Sequence, residues 1–133
     1  MNNHANTAVP ELISTLETGW ASGNGASFSS VFSDDAVFVN VEGSTLRGRA
    51  AIAEHHQTIF ATIYRDSTIS TSDLVVQSIR PDVATFSVSA VVLLGDVRFP
   101  THAAGVVAFD SGGWRIRLFH NMVPFLSRPG STG

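Results

Sequence analysis

The sequence contains no cysteine, has few charged residues and has no long apolar run. The absence of cysteine excludes disulfides, thiolate catalysis and every cysteine-ligated zinc or iron–sulfur site. Charged residues make up 14% of the chain, the net charge is −3, and the scattered arginines form no patch for nucleic acid or anionic lipid. No run approaches the ~20 apolar residues of a membrane span, and the opening MNNHANT lacks a signal-peptide pattern. We therefore expect a cytoplasmic protein with no nucleic-acid or membrane partner.

The residues that are present are those of one well-packed domain. With 133 residues, of which 44% are hydrophobic, the chain can bury roughly two-thirds of the surface that its unfolded form exposes. We expect a single domain over residues 1–133, with an ordered core over about 7–126 and flexible ends at 1–6 and 127–133.

Three segments of the N-terminal half place apolar residues at helical spacing. Thr7 can cap the first helix, and Pro10 is tolerated in the first turn of that helix. Asn24 can cap a short second helix, and the third helix follows Gly48. The stripes are Val9, Leu12, Ile13, Leu16 and Trp20; Phe28, Val31 and Phe32; and Ile52, His56, Ile59, Phe60 and Ile63. We predict three helices with these buried faces.

Strand patterns follow the helical ones. A first strand is predicted at residues 36–41, after the break at Ser33-Asp34-Asp35, and residues 42–49 are predicted to form a turn. Four further strands are predicted at 68–79, 83–94, 97–109 and 114–123, with turn residues between them. This order predicts an α+β fold in which the helices pack on one side of an antiparallel sheet.

The turns also predict a register. Leu94 should pair with Val97 and Phe109 with Trp114. Alternation along the last strand then puts His120 on the core face, and puts Phe119 and Asn121 on the opposite face. The same register points Asp73 and Gln77 inward, although a single bulge would reverse them.

Two histidines are candidates for proton transfer. His120 ends an apolar strand face, and an imidazole with a pKa of ~6.5 can accept and donate protons near neutrality. The alternative for His120 is a core histidine bonded to backbone or water. His56, on the buried stripe of the third helix, is predicted to be structural, or else to orient His120 or a ligand. His55 and His56 are adjacent, so they form no metal motif.

Other candidates are ligand-binding positions. Asn40 lies beside Phe38 and could bind a carbonyl or phenol oxygen, whereas Asp73 could act as a base or lie in solvent. Four aromatic residues could line a cavity or simply form the core: Trp20, Phe38, Phe60 and Trp114.

The element order, with the signatures LISTLETGWASGN, FSDDAVFVNVEG, LRGRAAIAEHHQTIF and GGWRIRLFHN, resembles the nuclear-transport-factor-2-like superfamily over residues 9–125. Within it, the chain looks most like the SnoaL-like group, specifically the SgcJ/EcaC family associated with enediyne polyketide biosynthesis. The resemblance implies a cone-shaped, curved antiparallel or mixed sheet with three N-terminal-half helices on its concave face. It also implies a ligand pocket and a homodimer through the outer sheet face.

Departures from the relatives limit the possible reactions. Ketosteroid isomerases have an aspartate base at the place that matches Asn40, and an amide cannot take up that proton. SnoaL-type cyclases carry an acidic residue near the end of the last strand, where this chain has His120 and Asn121. Scytalone-dehydratase-like enzymes combine histidine with aspartate, and that combination is still available here.

These observations and the resemblance predict a protein that binds and transforms a small hydrophobic, polyketide-derived metabolite in a conical pocket by cofactor-free acid–base chemistry of the cyclase, dehydratase or isomerase type. The alternative is a non-catalytic binder or an accessory protein of a biosynthetic complex. We expect no cofactor and no metal, because the sequence has no phosphate loop, dinucleotide fingerprint or metal-ligand cluster.

Overall fold

The computed structural model describes residues 4–124, which form three helices and six strands. The elements in chain order are α1 (Ala5–Ala21), α2 (Gly25–Ser29), β1 (Phe32–Val39), β2 (Thr45–Arg47), α3 (Arg49–Ala61), β3 (Thr68–Arg80), β4 (Val83–Leu94), β5 (Val97–Asp110) and β6 (Gly113–Met122). The flexibility predicted for residues 1–3 and 127–133 lies outside the described residues. None of the helices within residues 4–124 has both the length and the hydropathy needed to span a bilayer.

The three helices form where the apolar stripes predict them. α1 begins at Ala5 and not after Thr7, so the predicted flexible start is wrong for residues 5 and 6. Asn24 caps α2 as predicted, because its side chain accepts a hydrogen bond of 2.9 Å from the backbone N–H of Ser27. In α3, the buried residues are Ile52, His56 and Phe60, which are spaced by four.

The sheet has the order β2-β1-β6-β5-β4-β3. Neighbouring strands are antiparallel except β1 and β6, which are parallel. The predicted pairs Leu94 with Val97 and Phe109 with Trp114 are both present, and the predicted α+β class is confirmed. Two local predictions are wrong: Ser33-Asp34-Asp35 lies inside β1, and the predicted turn region contains β2.

A bulge in β6 reverses the faces of its second half. Ile116 pairs with Val107 and Leu118 with Val106, so Arg117 is an extra residue with no partner on β5. Beyond the bulge, Phe119 is buried, whereas Leu118 and His120 are exposed. The inward orientation predicted for His120 is therefore wrong, because one inserted residue moves every later side chain to the other face.

A second bulge, in β3, has the same effect on the predicted acid. Ser72 pairs with Ser89 and Val75 with Ser87, so β3 has one residue more than β4 over this stretch. Asp73 lies in the bulge with φ of 55° and is exposed, which contradicts its predicted inward position. Gln77, predicted inward as well, is exposed and pairs with Thr85.

The core lies between the helices and the inner face of the sheet. Its large, fully buried side chains come from both layers and include Val9, Phe32, Ile52, Val107 and Ile116. Burying them supplies the main driving force for docking the helices on the sheet.

Candidate functional site

A cavity of about 270 Å³ opens between α1, α3 and the inner face of the sheet. This volume is slightly below the ~300 Å³ at which typical ligand sites begin, so the cavity fits a small molecule. The strands β3 to β6 contribute alternate residues to its floor, and the two helices form its roof. Exposed residues among the lining mark its mouth: Val41, Glu42, Ile63, Phe99 and Val123.

Aromatic side chains form much of the wall. Phe38 and Phe119 stack in parallel with ring centroids 4.9 Å apart and an angle of 7° between the rings. The other aromatic lining residues are Trp20, Phe28, Tyr64 and Phe99. Phe119 reaches the cavity only because of the bulge in β6, which is why alternation along the strand did not predict it.

The candidate residues divide into two groups. Trp20, Phe38, Asn40 and His56 all line the cavity. The others lie elsewhere. Phe60 is buried behind Trp20, with ring centroids 5.0 Å apart, and Trp114 packs on Phe109 at 5.7 Å. His120 lies on the outer face of the sheet and Asp73 in the β3 bulge, so neither reaches the cavity.

His56 is the most constrained polar group in the cavity wall. Its ring is 3% exposed and stacks on Phe28 with centroids 4.2 Å apart. Its Nδ1 lies 2.7 Å from the carbonyl oxygen of Ile52, one turn earlier in α3. Because a carbonyl can only accept, Nδ1 carries the proton and Nε2 has a free lone pair.

The pKa of His56 is lowered from 6.5 to about 4, mainly by burial; the hydrogen bond to Ile52 opposes this shift, and the neighbouring His55 adds to it. The imidazole is therefore neutral at pH 7. No buried side-chain nitrogen or oxygen among the described residues lacks a hydrogen-bond partner. Residues 4–124 supply no hydrogen-bond partner for Nε2 of His56, and His56 is a lining residue of the cavity.

Trp20 is held by a chain of hydrogen bonds. Its indole Nε1–H donates to Oγ of Ser67 at 2.8 Å, and that hydroxyl donates to the carbonyl oxygen of Tyr64 at 2.7 Å. This chain satisfies the indole donor and fixes the ring, so Trp20 offers the cavity an apolar surface.

Glu17 is a lining residue that our sequence reasoning missed. Its carboxylate accepts hydrogen bonds from the backbone N–H of Thr71 at 2.8 Å and from the Thr71 hydroxyl at 2.9 Å. These bonds join α1 to β3. A signal was present, because Glu17 follows Ile13 by four residues and precedes Trp20 by three, which puts it on the buried stripe of α1.

Two asparagines lie in the cavity wall. The side-chain oxygen of Asn40 accepts hydrogen bonds from the backbone N–H groups of Glu42 and Ser44, both at 3.0 Å, and so closes the turn after β1. The second, Asn121, lies on the inner face because of the bulge, against the sequence prediction. The amide NH₂ groups of both residues can donate to a ligand.

The cavity wall contains two carboxylates and the side chain of His55. Its acidic members are Glu17 and Glu42, and none of its described residues is an arginine. Three arginines pair with aspartates elsewhere: Arg49 with Asp34, Arg80 with Asp82 and Arg117 with Asp35. Within residues 4–124, no three histidine, aspartate or glutamate side chains are close enough to hold a metal ion.

Comparisons with known proteins identify the family and the fold. The family model described as a SnoaL-like domain matches residues 9–125. A domain of unknown function with a cystatin-like fold from Nostoc punctiforme is 25% identical, with a TM-score of 0.85 over 90% of this chain and 77% of that chain. An uncharacterized protein with a cystatin-like fold from Caulobacter vibrioides is 24% identical, with a TM-score of 0.82 over 91% and 90% of the two chains.

A third structure carries the name of the predicted superfamily. It is a nuclear-transport-factor-2-like protein from Novosphingobium aromaticivorans, 23% identical, with a TM-score of 0.75 over 93% of this chain and 82% of that chain. No curated protein sequence matches the chain. These similarities confirm the predicted fold class.

Proposed function

Because the chain belongs to the SnoaL-like domain family, we propose that its cavity binds a small, largely apolar metabolite. The observation that carries this proposal is an aromatic-lined space of about 270 Å³ whose wall includes His56, with Nε2 unpartnered by any residue of 4–124. An apolar cavity with a few fixed polar groups is the usual form of a small-molecule site.

A second candidate function is proton transfer to and from that metabolite, as in a cyclase, dehydratase or isomerase. The favouring observation is again His56, a residue of the cavity wall whose unprotonated Nε2 is a neutral base. Its pKa of about 4 gives it the basicity of an ordinary carboxylate, whose reference pKa is ~3.9 to 4.3. Nε2 would take a proton from an acidic C–H or O–H group of the ligand and return it to another ligand atom. If no turnover occurs, the protein acts as a carrier or accessory protein.

We further propose that the metabolite is polyketide-derived and that the chain acts within the SgcJ/EcaC branch. This step rests on the resemblance of the sequence signatures to that family. The aromatic wall supports it, because cyclised polyketides present flat, unsaturated rings that pack well against aromatic faces.

We also propose a homodimer through the outer face of the sheet. Val75, Val106 and Leu118, which we call the outer patch, border a shallow groove of about 470 Å³ on that face. Val75 and Leu118 are 59% and 37% exposed, as expected for apolar residues that a second copy covers. A Leu118→Glu variant should halve the molar mass measured by light scattering, and an unchanged mass would refute this interface.

The binding proposal is tested by filling the cavity. Ala103 faces the cavity from β5, whereas Ala108 lies on the same strand at a position paired with Val83 and Arg115, outside the cavity. Ala103→Leu should weaken binding of naphthalene, used as a small apolar probe, by at least ~10-fold, and Ala108→Leu should leave it unchanged. Fluorescence titration measures both. Equal affinities in the two variants would show that the probe does not bind in this cavity.

A further inference from the structure

The protein fixes which nitrogen of His56 donates a hydrogen bond and which one accepts. Nδ1 of His56 donates to the carbonyl oxygen of Ile52, so Nε2 can only accept. Phe28 stacks on the ring at 4.2 Å and Phe38 meets it at 4.9 Å, so turning the imidazole would disturb both contacts and break the hydrogen bond to Ile52. A ligand that reaches Nε2 therefore has to bring a donor.

The protonation state of His56 keeps this direction at physiological pH. Burial lowers its pKa to about 4, and among residues 4–124 neither carboxylate of the wall, Glu17 or Glu42, hydrogen-bonds to the ring. A ketone or ether in the same place would set lone pair against lone pair and leave Nε2 unsatisfied, which costs binding free energy.

The cavity also discriminates by charge. Its acidic residues are Glu17 and Glu42, the lining includes no arginine, and the sequence has no lysine anywhere. An anionic ligand would lose its hydration without gaining an arginine or lysine counterion and would be repelled by both carboxylates. Carboxylates and phosphates are thus poor occupants, whereas uncharged molecules carry no such cost.

We infer that the ligand of the cavity is an uncharged phenol- or enol-type molecule whose hydroxyl group donates a hydrogen bond to Nε2 of His56. This inference rests on the proposed function. Its flat body lies against the aromatic wall formed with Phe38 and Phe119. His56 is in this role a binding and specificity-determining residue, and it is 97% buried, as a selective polar contact requires.

A matched series of two-ring probes tests the inference. Naphthalene, 2-naphthol, 2-methoxynaphthalene and 2-naphthoate share one body and differ in having no polar group, a donor, an acceptor and a negative charge. By calorimetric titration at pH 7, 2-naphthol should bind at least ~10-fold more tightly than its methyl ether, the ratio of about one net hydrogen bond. 2-Naphthoate should bind more weakly than naphthalene.

Variants assign the preference to Nε2. In His56→Asn, the amide NH₂ can replace Nδ1–H toward Ile52, but no acceptor remains at the Nε2 position, so the 2-naphthol preference should disappear while naphthalene still binds. His56→Phe keeps the stacked ring and provides a second test should the asparagine variant fold poorly. His102→Asn is the matched control, because this histidine contacts Ser89 outside the cavity, and it should keep the full preference.

The outcomes separate the two proposals. Naphthalene binding without any preference for 2-naphthol, or a preference that survives in both His56 variants, would overturn the inference and leave the proposed binding function standing. Tight binding of 2-naphthoate would overturn it as well. If even naphthalene fails to bind, the proposed function fails, and the inference fails with it.

Discussion

The two faces of the sheet are built by the same strands but have different roles. The inner face carries the cavity and a buried imidazole, His56, brought to it by α3. The outer face carries an exposed imidazole, His120, beside the outer patch. Water reaches the ring of His120, whereas burial shields the ring of His56 from water and lowers the pKa of His56.

The largest expected effect comes from residues on either side of the β6 bulge. Ile116 is 0% exposed and Leu118 is 37% exposed. Ile116→Ala should lower the free energy of unfolding by about 4 kcal/mol, and Leu118→Ala by less than ~1 kcal/mol, as measured by urea denaturation at low protein concentration. Equal losses would mean that β6 alternates without a bulge, which would return His120 to the inner face.

The second prediction contrasts the two histidines through pH. The folded-state pKa of His56 is about 4, below its unfolded value of 6.5, so the unfolded chain binds the proton more readily. The contribution of His56 to the free energy of unfolding is therefore fully present above pH 6.5. As the pH falls from 6.5 to 4, the free energy of unfolding decreases by about 3 kcal/mol in all.

Urea denaturation across this pH range checks the second prediction. His56→Phe should remove most of the pH dependence, and His120→Gln should retain it. If the wild-type slope persists in His56→Phe, other groups cause it and the imidazole is not kept neutral by burial.

A third prediction concerns the glycine that faces the bulge. A Cβ at Gly105 would overlap the carbonyl oxygen of Leu118 and lie 2.8 Å from Cε1 of Phe86. Gly105→Ala should therefore destabilise the fold by about 2 kcal/mol. At Gly112, a Cβ meets only a side-chain oxygen of Asp110 at 3.4 Å, so Gly112→Ala is the control with little expected change. Thermal unfolding compares them, and equal midpoints would contradict the close approach of β5 and β6.

The smallest expected effect tests the acid on the inner face. Glu17→Gln keeps an acceptor for Thr71 but replaces a charge-assisted hydrogen bond by a neutral one, so the free energy of unfolding should fall by about 1 kcal/mol. Glu11 is exposed on the same helix, and Glu11→Gln should change it by less than ~0.5 kcal/mol. A larger loss in the Glu11 variant would contradict the assigned link between α1 and β3.

Much of the fold and part of the site could be predicted from the sequence. The apolar stripes gave the three helices, and the turn residues gave the pairs Leu94 with Val97 and Phe109 with Trp114. His56, Trp20 and Phe38 were found because they belong to those patterns. The spacing of apolar residues and the identity of turn residues are local features of the sequence, so they predict the same elements that the folded chain contains.

The two strand bulges account for the main errors. Alternation assigns successive side chains of a strand to opposite faces of the sheet. One inserted residue, at Arg117 or near Asp73, exchanges the faces of all later side chains in that strand. Adjacent Leu118 and Phe119, with Gly105 on the facing strand, were the available signs of a bulge. Neither sign specifies which residue is extra, because that depends on how close the two backbones come.

The parallel pairing of β1 with β6 determines when the sheet can be completed during synthesis. β6 lies between β1 and β5, and Phe32 pairs with Ile116, which comes 84 residues later in the chain. During synthesis, the helices and the first two strands are made long before the strand that joins them to the rest of the sheet. Until β6 emerges, the edges of β1 and β5 have no partner, and such edges invite aggregation. Pairing of β6 is thus the step that protects a growing chain from misassembly.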